Sequence, residues 1–190
     1  MNYRQHWFSI RSYVPIPFFI LGIYFASPTF NSILIGIILI IIGESIRLWG
    51  VSVAGSETRT TGPVGGTHLF TDGPFGYVRN PLYLGNILIY IGSMYAANWW
   101  MPWLPIFTGI FFLIQYRIFI SIEEEYLQKT FGSEFDEYCK HVSRLVPRII
   151  KYKGTHSFHR EPDLKRGIES EKRTLQIIII FLLIMFIKLK

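Results

Sequence analysis

Long apolar runs constrain this chain more than any other feature. Residues 14–30 are apolar apart from Ser27 and Thr29, and residues 32–54 carry only Glu44 and Arg47 as charges. Residues 82–97 and 99–122 follow, the second with Arg117 as its only charge. Residues 175–187 are Ile, Leu, Phe and Met with one Gln, flanked by Lys172, Arg173, Lys188 and Lys190. A bilayer core takes about 20 apolar residues per helix, and here the apolar residues come in blocks rather than in stripes. The pattern predicts an all-α fold, a polytopic transmembrane helical bundle of about five spans within one integral membrane domain, residues 1–190. The fifth span is short and depends on flanking lysines that reach the interface.

The basic residues sort this bundle across a membrane. A formal charge of +6 would suit nucleic acid, but the cations flank apolar runs, which is the positive-inside pattern of membrane proteins. No nucleic-acid partner is expected. The links 26–32 and 97–102 lack Lys and Arg and read as outside turns, with Trp99, Trp100 and Trp103 as an interfacial cluster. Arg4, Arg11 and the basic residues of 57–80 and 123–173 then lie in the cytosol. The amino terminus is inside and the carboxyl terminus outside if the fifth run crosses; a re-entrant or interfacial fifth helix is the alternative, since Lys188 and Lys190 would otherwise lie outside. The localisation implied is the cell membrane. The single Cys139 excludes an intramolecular disulfide and suits a reducing cytosolic face. No cleavable signal peptide is expected, for want of a small-residue cleavage site.

Between the runs lie three polar pieces. Gly55, Gly62, Pro63, Gly65 and Gly66 make 55–68 a lid-like loop. Residues 123–148 carry Tyr126, Leu127, Phe131, Phe135, Tyr138 and Val142 at three- and four-residue steps, which predicts a cytosolic amphipathic helix broken briefly at Gly132. Residues 151–173 read as a polar cytosolic connector, and 174–190 as a short carboxyl-terminal membrane helix.

Chemistry concentrates in residues 71–85, where two breakers, an arginine and two tyrosines occupy the last polar turn before an apolar helix. Gly73 and Pro74 form a turn. Pro81 suits the first helical position, where its missing N–H costs nothing, so the helix offers its free N–H groups and positive dipole end to the loop. With the planar fork of Arg79 this makes an anion pocket. The alternative is that Arg79 reaches lipid phosphates and Tyr83 anchors at the interface. Glu123, Glu124 and Glu125 end the fourth run; Glu125 reads as a solvated helix-end charge. Arg117 lies seven residues before Glu124 on the same helix face. An arginine within a span costs about 2.5–3.5 kcal/mol on translocon scales, so it calls for a carboxylate or a bound anion. Glu44 and Arg47 read as a structural i,i+3 pair. Arg144 and Arg148 either fold back onto the site or face lipid. His68 and His141 are lone histidines in polar segments. No metal-ligand cluster, P-loop or Ser-His-Asp order is present, and no metal is expected.

Two of these pieces resemble the isoprenylcysteine carboxyl methyltransferase and phospholipid methyltransferase superfamily of membrane enzymes. Gly73, Pro74, Tyr77, Val78, Arg79, Pro81, Tyr83 and Gly85 match its Gly-Pro-Tyr-x-Tyr-Val-Arg-His-Pro-x-Tyr-x-Gly region. Glu123, Glu124, Leu127, Phe131, Gly132, Tyr138, Val142, Arg144 and Pro147 match its Glu-Glu region. The resemblance covers residues 69–147 and implies that both pieces line a site for S-adenosylmethionine at the cytosolic helix ends. Asn80 stands where that family usually has histidine, and an amide can only orient by hydrogen bonding. Phe75 and Phe135 replace usual tyrosines.

The resemblance implies S-adenosylmethionine-dependent methyl transfer to a lipophilic membrane-borne acceptor, either an isoprenylcysteine-type carboxylate or a lipid. Arg79 and the helix start suit the cofactor's carboxylate, and Glu123 or Glu124 its ammonium or ribose. Tyr77 and Tyr83 suit the sulfonium as cation–π partners. The cofactor-binding set is thus Gly73, Pro74, Tyr77, Val78, Arg79, Asn80, Pro81, Tyr83, Gly85, Glu123 and Glu124, and the catalytic set Arg117, Glu124 and Arg144. Membrane lipids are the other expected partners, and no obligate protein partner is expected. Two competing readings remain. One is an NADPH-dependent membrane reductase of the sterol reductase type, whose Arg-His-x-Asn-Tyr-x-Gly-Asp loop is similar although Asn86 stands at the final Asp. The other is a noncatalytic membrane scaffold.

Overall fold

A computed structural model describes residues 8, 10–55, 68–154 and 160–189 of the chain. The anticipated lid-like loop lies outside the described residues over 56–67. Among the described residues all regular structure is helical: α1 (Pro15–Tyr24), α2 (Phe30–Ala54), a short 3-10 helix (Gly73–Gly76), α3 (Pro81–Ala97), α4 (Trp103–Phe131), α5 (Ser133–His141) and α6 (Leu164–Ile187). By length and composition, α2 and α4 are long and apolar enough to cross a membrane.

Two element boundaries differ from the apolar runs, each because a local cap overrides hydropathy. The first run yields a helix of 10 residues. Pro28 follows it, and Thr29 then starts α2 by exchanging bonds with Ser32: Thr29 N donates to Ser32 Oγ at 2.9 Å and Ser32 N to Thr29 Oγ1 at 3.2 Å. The last helix begins at Leu164, well before the apolar run and inside the expected polar connector. Asp163 is the cause: its Oδ1 accepts from Arg166 N at 3.0 Å and its carbonyl from Gly167 N at 3.0 Å. The break expected at Gly132 is present, with φ at +52° between α4 and α5, a backbone state that glycine adopts without steric cost.

The chain divides into two compact units. The first comprises Met1–Ser45, Gly85–Gln115 and Glu171–Lys190. Its α2 and α3 segments approach through glycines: a Cβ on Gly43 would lie 2.6 Å from the Gly85 carbonyl oxygen, and one on Gly36 2.6 Å from that of Gly92. Such backbone proximity is what small residues permit between helices in apolar surroundings. Ile33, Ala96, Ala97, Phe181 and Met185 form the unit's core. Phe19 meets Phe181 edge-on at 5.5 Å between centroids. Asn98 Nδ2 donates to Ser27 O at 2.9 Å, and Lys188 Nζ to Ile23 O at 2.6 Å. The ends of α1, α3 and α6 and the approach to α2 are therefore gathered together.

The second unit comprises Ile46–Leu84 and Tyr116–Ser170. Leu69, Phe135, Tyr138 and Val142 are its buried cluster, joined by Leu127, Phe131, Cys139 and Tyr152. Most of the helical stripe read from the sequence thus faces one core, while Asp136, Glu137 and Lys140 of α5 are exposed.

Candidate active site

The loop before α3 is shaped by its own composition. Gly73 has φ at +56° and Pro74 follows it in the 3-10 turn, where Phe75 N donates to Asp72 O at 3.1 Å and Tyr77 N to Pro74 O at 3.0 Å. Pro81 occupies the first position of α3, as its geometry predicts, and Leu84 N reaches back to Asn80 O at 3.1 Å.

A second, extended stretch is laced onto this loop through the backbone. Arg79 N donates to Ser143 O at 2.9 Å and Asn80 N to Arg144 O at 3.2 Å. Arg148 N donates to Tyr77 O and Tyr152 N to Gly76 O, both at 2.9 Å. The Asn80 side chain adds a bond from Nδ2 to Arg144 O at 3.1 Å, so this amide orients the backbone of the second stretch. Tyr138 closes the far end, donating its hydroxyl to Phe75 O at 2.7 Å. Burial raises the Tyr138 pKa, with Arg79 opposing, so the phenol holds its proton for that bond.

Glu124 sits at the centre of this lacing between two guanidinium groups. Arg79 Nη2 lies 2.9 Å from Glu124 Oε1, and Arg79 Nη1 donates to Cys139 O at 3.1 Å. Arg144 grips the other side, Nε at 2.9 Å and Nη2 at 2.5 Å from Oε2. The side chains of Arg79 and Glu124 are 11% and 14% exposed, whereas that of Arg144 is 41% exposed. One arginine is therefore an internal brace and the other is open to solvent on its outer edge. Beside them Tyr83 donates its hydroxyl to Glu123 Oε1 at 2.7 Å, and its ring packs on Tyr116 at 4.5 Å between centroids. Tyr77 lies against Trp49 at 5.8 Å. Burial raises the Cys139 pKa above the ordinary thiol value, with Arg79 opposing.

Most of the sequence-selected residues converge here: Gly73, Pro74, Tyr77, Val78, Arg79, Asn80, Pro81, Tyr83, Glu123, Glu124 and Arg144 all belong to the second unit. Two are placed otherwise. Gly85 belongs to the first unit, where its carbonyl packs against Gly43, a helix-packing position. Arg117 is exposed, and the ion pairs of Glu124 go to Arg79 and Arg144 rather than to it. Same-face spacing on one helix lost to two arginines delivered from other segments at hydrogen-bonding distance. Arg79 makes two contacts that the sequence does not predict, its Nη2 to Glu124 and its Nη1 to the Cys139 carbonyl. Lys151, which pairs with Asp72 in this site, lay beyond the stretch read as a motif. Its only sequence signal is a cation in a polar segment. Glu125 is exposed, unlike its two acidic neighbours.

The chain matches the sequence profile of the phospholipid methyltransferase family over residues 31–134, more than half its length. Among curated proteins it is 32% identical over 125 residues to a probable protein-S-isoprenylcysteine O-methyltransferase of Oryza sativa subsp. indica, covering 60% of this chain and 61% of that one. It is 34% identical over 85 residues to protein-S-isoprenylcysteine O-methyltransferase of Schizosaccharomyces pombe, covering 43% and 34%. It is also 36% identical over 106 residues to Delta(14)-sterol reductase of Mus musculus, covering 52% of this chain and 23% of that one. The matched stretch thus spans less than two thirds of each of these relatives. No solved structure matches. The matched region takes in both Arg79 and Glu124, the two halves of the central ion pair, and the chain belongs to the phospholipid methyltransferase family.

Proposed function

We propose that this chain is an S-adenosylmethionine-dependent methyltransferase that acts on a lipophilic, membrane-borne acceptor at the cytosolic interface of a multi-pass bundle in the cell membrane. The observation that carries the proposal is the Arg79–Glu124–Arg144 arrangement, which locks two family-matched stretches into one polar site. Family membership and the likeness to isoprenylcysteine O-methyltransferases give the reaction class.

The donor set suits the cofactor. Its carboxylate needs a cation with a free edge, and Arg144 has one, while Glu123 with Tyr83 offers an acid and a hydroxyl for the ammonium or ribose. The rings of Tyr77 and Tyr83 suit a sulfonium. When bound, the cofactor supplies a methyl group on an already activated carbon, so positioning is the main catalytic task. Arg79 and Glu124 serve that task by fixing where Arg144 and the α4 end stand. Asn80 fixes the backbone of Arg144 and needs no proton-transfer role.

Membrane embedding is supported by what the helices leave uncovered. Leu34, Ile35, Ile38, Ile41 and Ile42 of α2, Ile106, Phe107 and Ile110 of α4, and Ile177, Ile180 and Leu183 of α6 are all exposed. An apolar surface of that extent is costly in water and suits lipid. Five helices, α1 to α4 and α6, then enter the membrane, with α1 reaching only part of the way.

Calorimetry of the purified protein with S-adenosylhomocysteine and with NADPH tests the assignment. Binding of the first alone is expected. Binding of NADPH alone would favour the reductase reading, for which the sterol reductase likeness speaks; binding of neither would favour a scaffold.

A further inference from the structure

Residues 144–153 carry an exposed pattern that methyl transfer does not use. Val146, Ile149 and Ile150 are 73%, 96% and 74% exposed, among the most exposed aliphatic residues described. Arg144, Arg148, Lys151 and Lys153 alternate with them, and no acidic residue occurs between Val142 and Arg160. Two of these cations have carboxylate partners, Arg144 with Glu124 and Lys151 with Asp72. Among the described residues the Arg148 guanidinium meets a neutral carbonyl, Nη1 donating to His141 O at 3.0 Å, and Lys153 is exposed. On the packed helix α5, Glu137 is engaged by Lys140 at 3.1 Å and by His141 at 3.4 Å.

The aliphatic tips are held outward by a fixed backbone. The bonds from Arg79 N to Ser143 O, Arg148 N to Tyr77 O and Tyr152 N to Gly76 O span the segment at 2.9 Å each. Presenting isoleucines to water on a braced loop is unfavourable, and the surrounding excess of positive charge disfavours burial against a basic or neutral surface.

We propose that residues 144–153 form an anchor for an anionic lipid surface, with Ile149 and Ile150 inserted at the headgroup boundary and Arg148 and Lys153 against lipid phosphates or carboxylates. The proposal deepens the membrane reading above and does not depend on methyl transfer. Because the same backbone bonds carry Gly76, Tyr77 and Arg79, the anchor also sets the site's depth relative to the lipid surface.

The test places the full-length chain, as I149C in a C139S background with an environment-sensitive fluorophore, into nanodiscs of phosphatidylcholine with or without phosphatidylglycerol. A second protein carries the probe at Ile38 of α2. The expected result is blue-shifted, lipid-quenched emission from position 149 in anionic discs, weaker in neutral ones. R148Q and K153Q should each shift the inserted population down about fivefold, the contribution of one basic residue near an anionic surface. Water-like emission at 149 with lipid-like emission at 38 would overturn the anchor and leave the membrane reading standing. Water-like emission at both would overturn both. A shift at 149 that requires two copies per disc, whatever the lipid, would assign the patch to a second copy of this chain and overturn the lipid assignment.

Discussion

At the scale of single residues, the two arginines of the site are chemically alike and physically unequal. Arg79 is almost enclosed and divides its fork between Glu124 and the Cys139 carbonyl, whereas Arg144 keeps an open edge. Lysine in place of arginine retains charge but cannot make two divergent bonds. Arg79→Lys should therefore lower the melting temperature measured without ligand, by an amount equivalent to about 1–3 kcal/mol for a buried acceptor left unmet. Arg144→Lys should leave melting nearly unchanged and weaken S-adenosylhomocysteine binding severalfold in calorimetry. The opposite pattern would exchange the roles of brace and ligand contact. The acidic run is graded in the same way. Glu124→Gln removes the charge between two guanidinium groups and should cost more than tenfold in a lipid methylation assay, about 1.4 kcal/mol or more in barrier height. Glu125 is exposed, and Glu125→Gln should be nearly silent. Equal losses at both positions would mean that the run acts only as diffuse charge.

At the scale of elements, periodicity and composition predicted an all-helical chain, as found among the described residues, but not what limits or joins the helices. The apolar runs are legible because burial and lipid exposure both demand hydrophobic residues. The stripe of Leu127, Phe131, Phe135, Tyr138 and Val142 is legible because one core faces it. The caps at Thr29 and Asp163 depend on single side chains that hydropathy does not weigh, so the first helix is shorter than its run and the last one longer. The pairing of Arg79 with Glu124 needed the chain's path, since same-helix spacing pointed instead to Arg117. Also unread was the spacing of Gly36 and Gly43 against Gly85 and Gly92, a seven-residue repeat that recurs on both helices. Two alanine substitutions separate the two kinds of glycine in the fold. At Gly43 the new methyl would lie 2.6 Å from the Gly85 carbonyl oxygen, with no relief from a flexible side chain, so Gly43→Ala must move a helix. At Gly132 nothing lies within 4 Å, so Gly132→Ala meets only the backbone cost of a positive φ, about 1–3 kcal/mol. Gly43→Ala should thus lower the melting temperature more than Gly132→Ala. The reverse order would show that α2 and α3 have room to separate.

At the scale of the whole molecule, the proposed topology turns on the last helix, which the sequence left between a full crossing and a re-entrant path. Its 24 residues extend about 36 Å at the usual rise per residue, but Lys165, Arg166, Glu169, Glu171, Lys172 and Arg173 occupy its first part. The apolar run 175–187 therefore spans only about 20 Å, and a crossing depends on its flanking lysines reaching the interface. Its far end is tied down, because Lys188 Nζ donates to Ile23 O at 2.6 Å at the close of α1. Ser27 and Asn98 exchange hydrogen bonds in the same unit, which puts the end of α3 with the end of α1. A lysine that meets the carbonyls at a helix carboxyl end is electrostatically well placed, so its position need not obey the positive-inside rule. The expected outcome of labelling single-cysteine variants in a Cys139→Ser background with a membrane-impermeant maleimide follows directly. Trp103→Cys and Leu189→Cys should react in intact cells, while Lys140→Cys and Lys153→Cys should react only after permeabilisation. Reaction of Leu189→Cys only after permeabilisation, with Trp103→Cys still labelled from outside, would mean that α6 turns back and the Lys188 tether does not hold in the membrane.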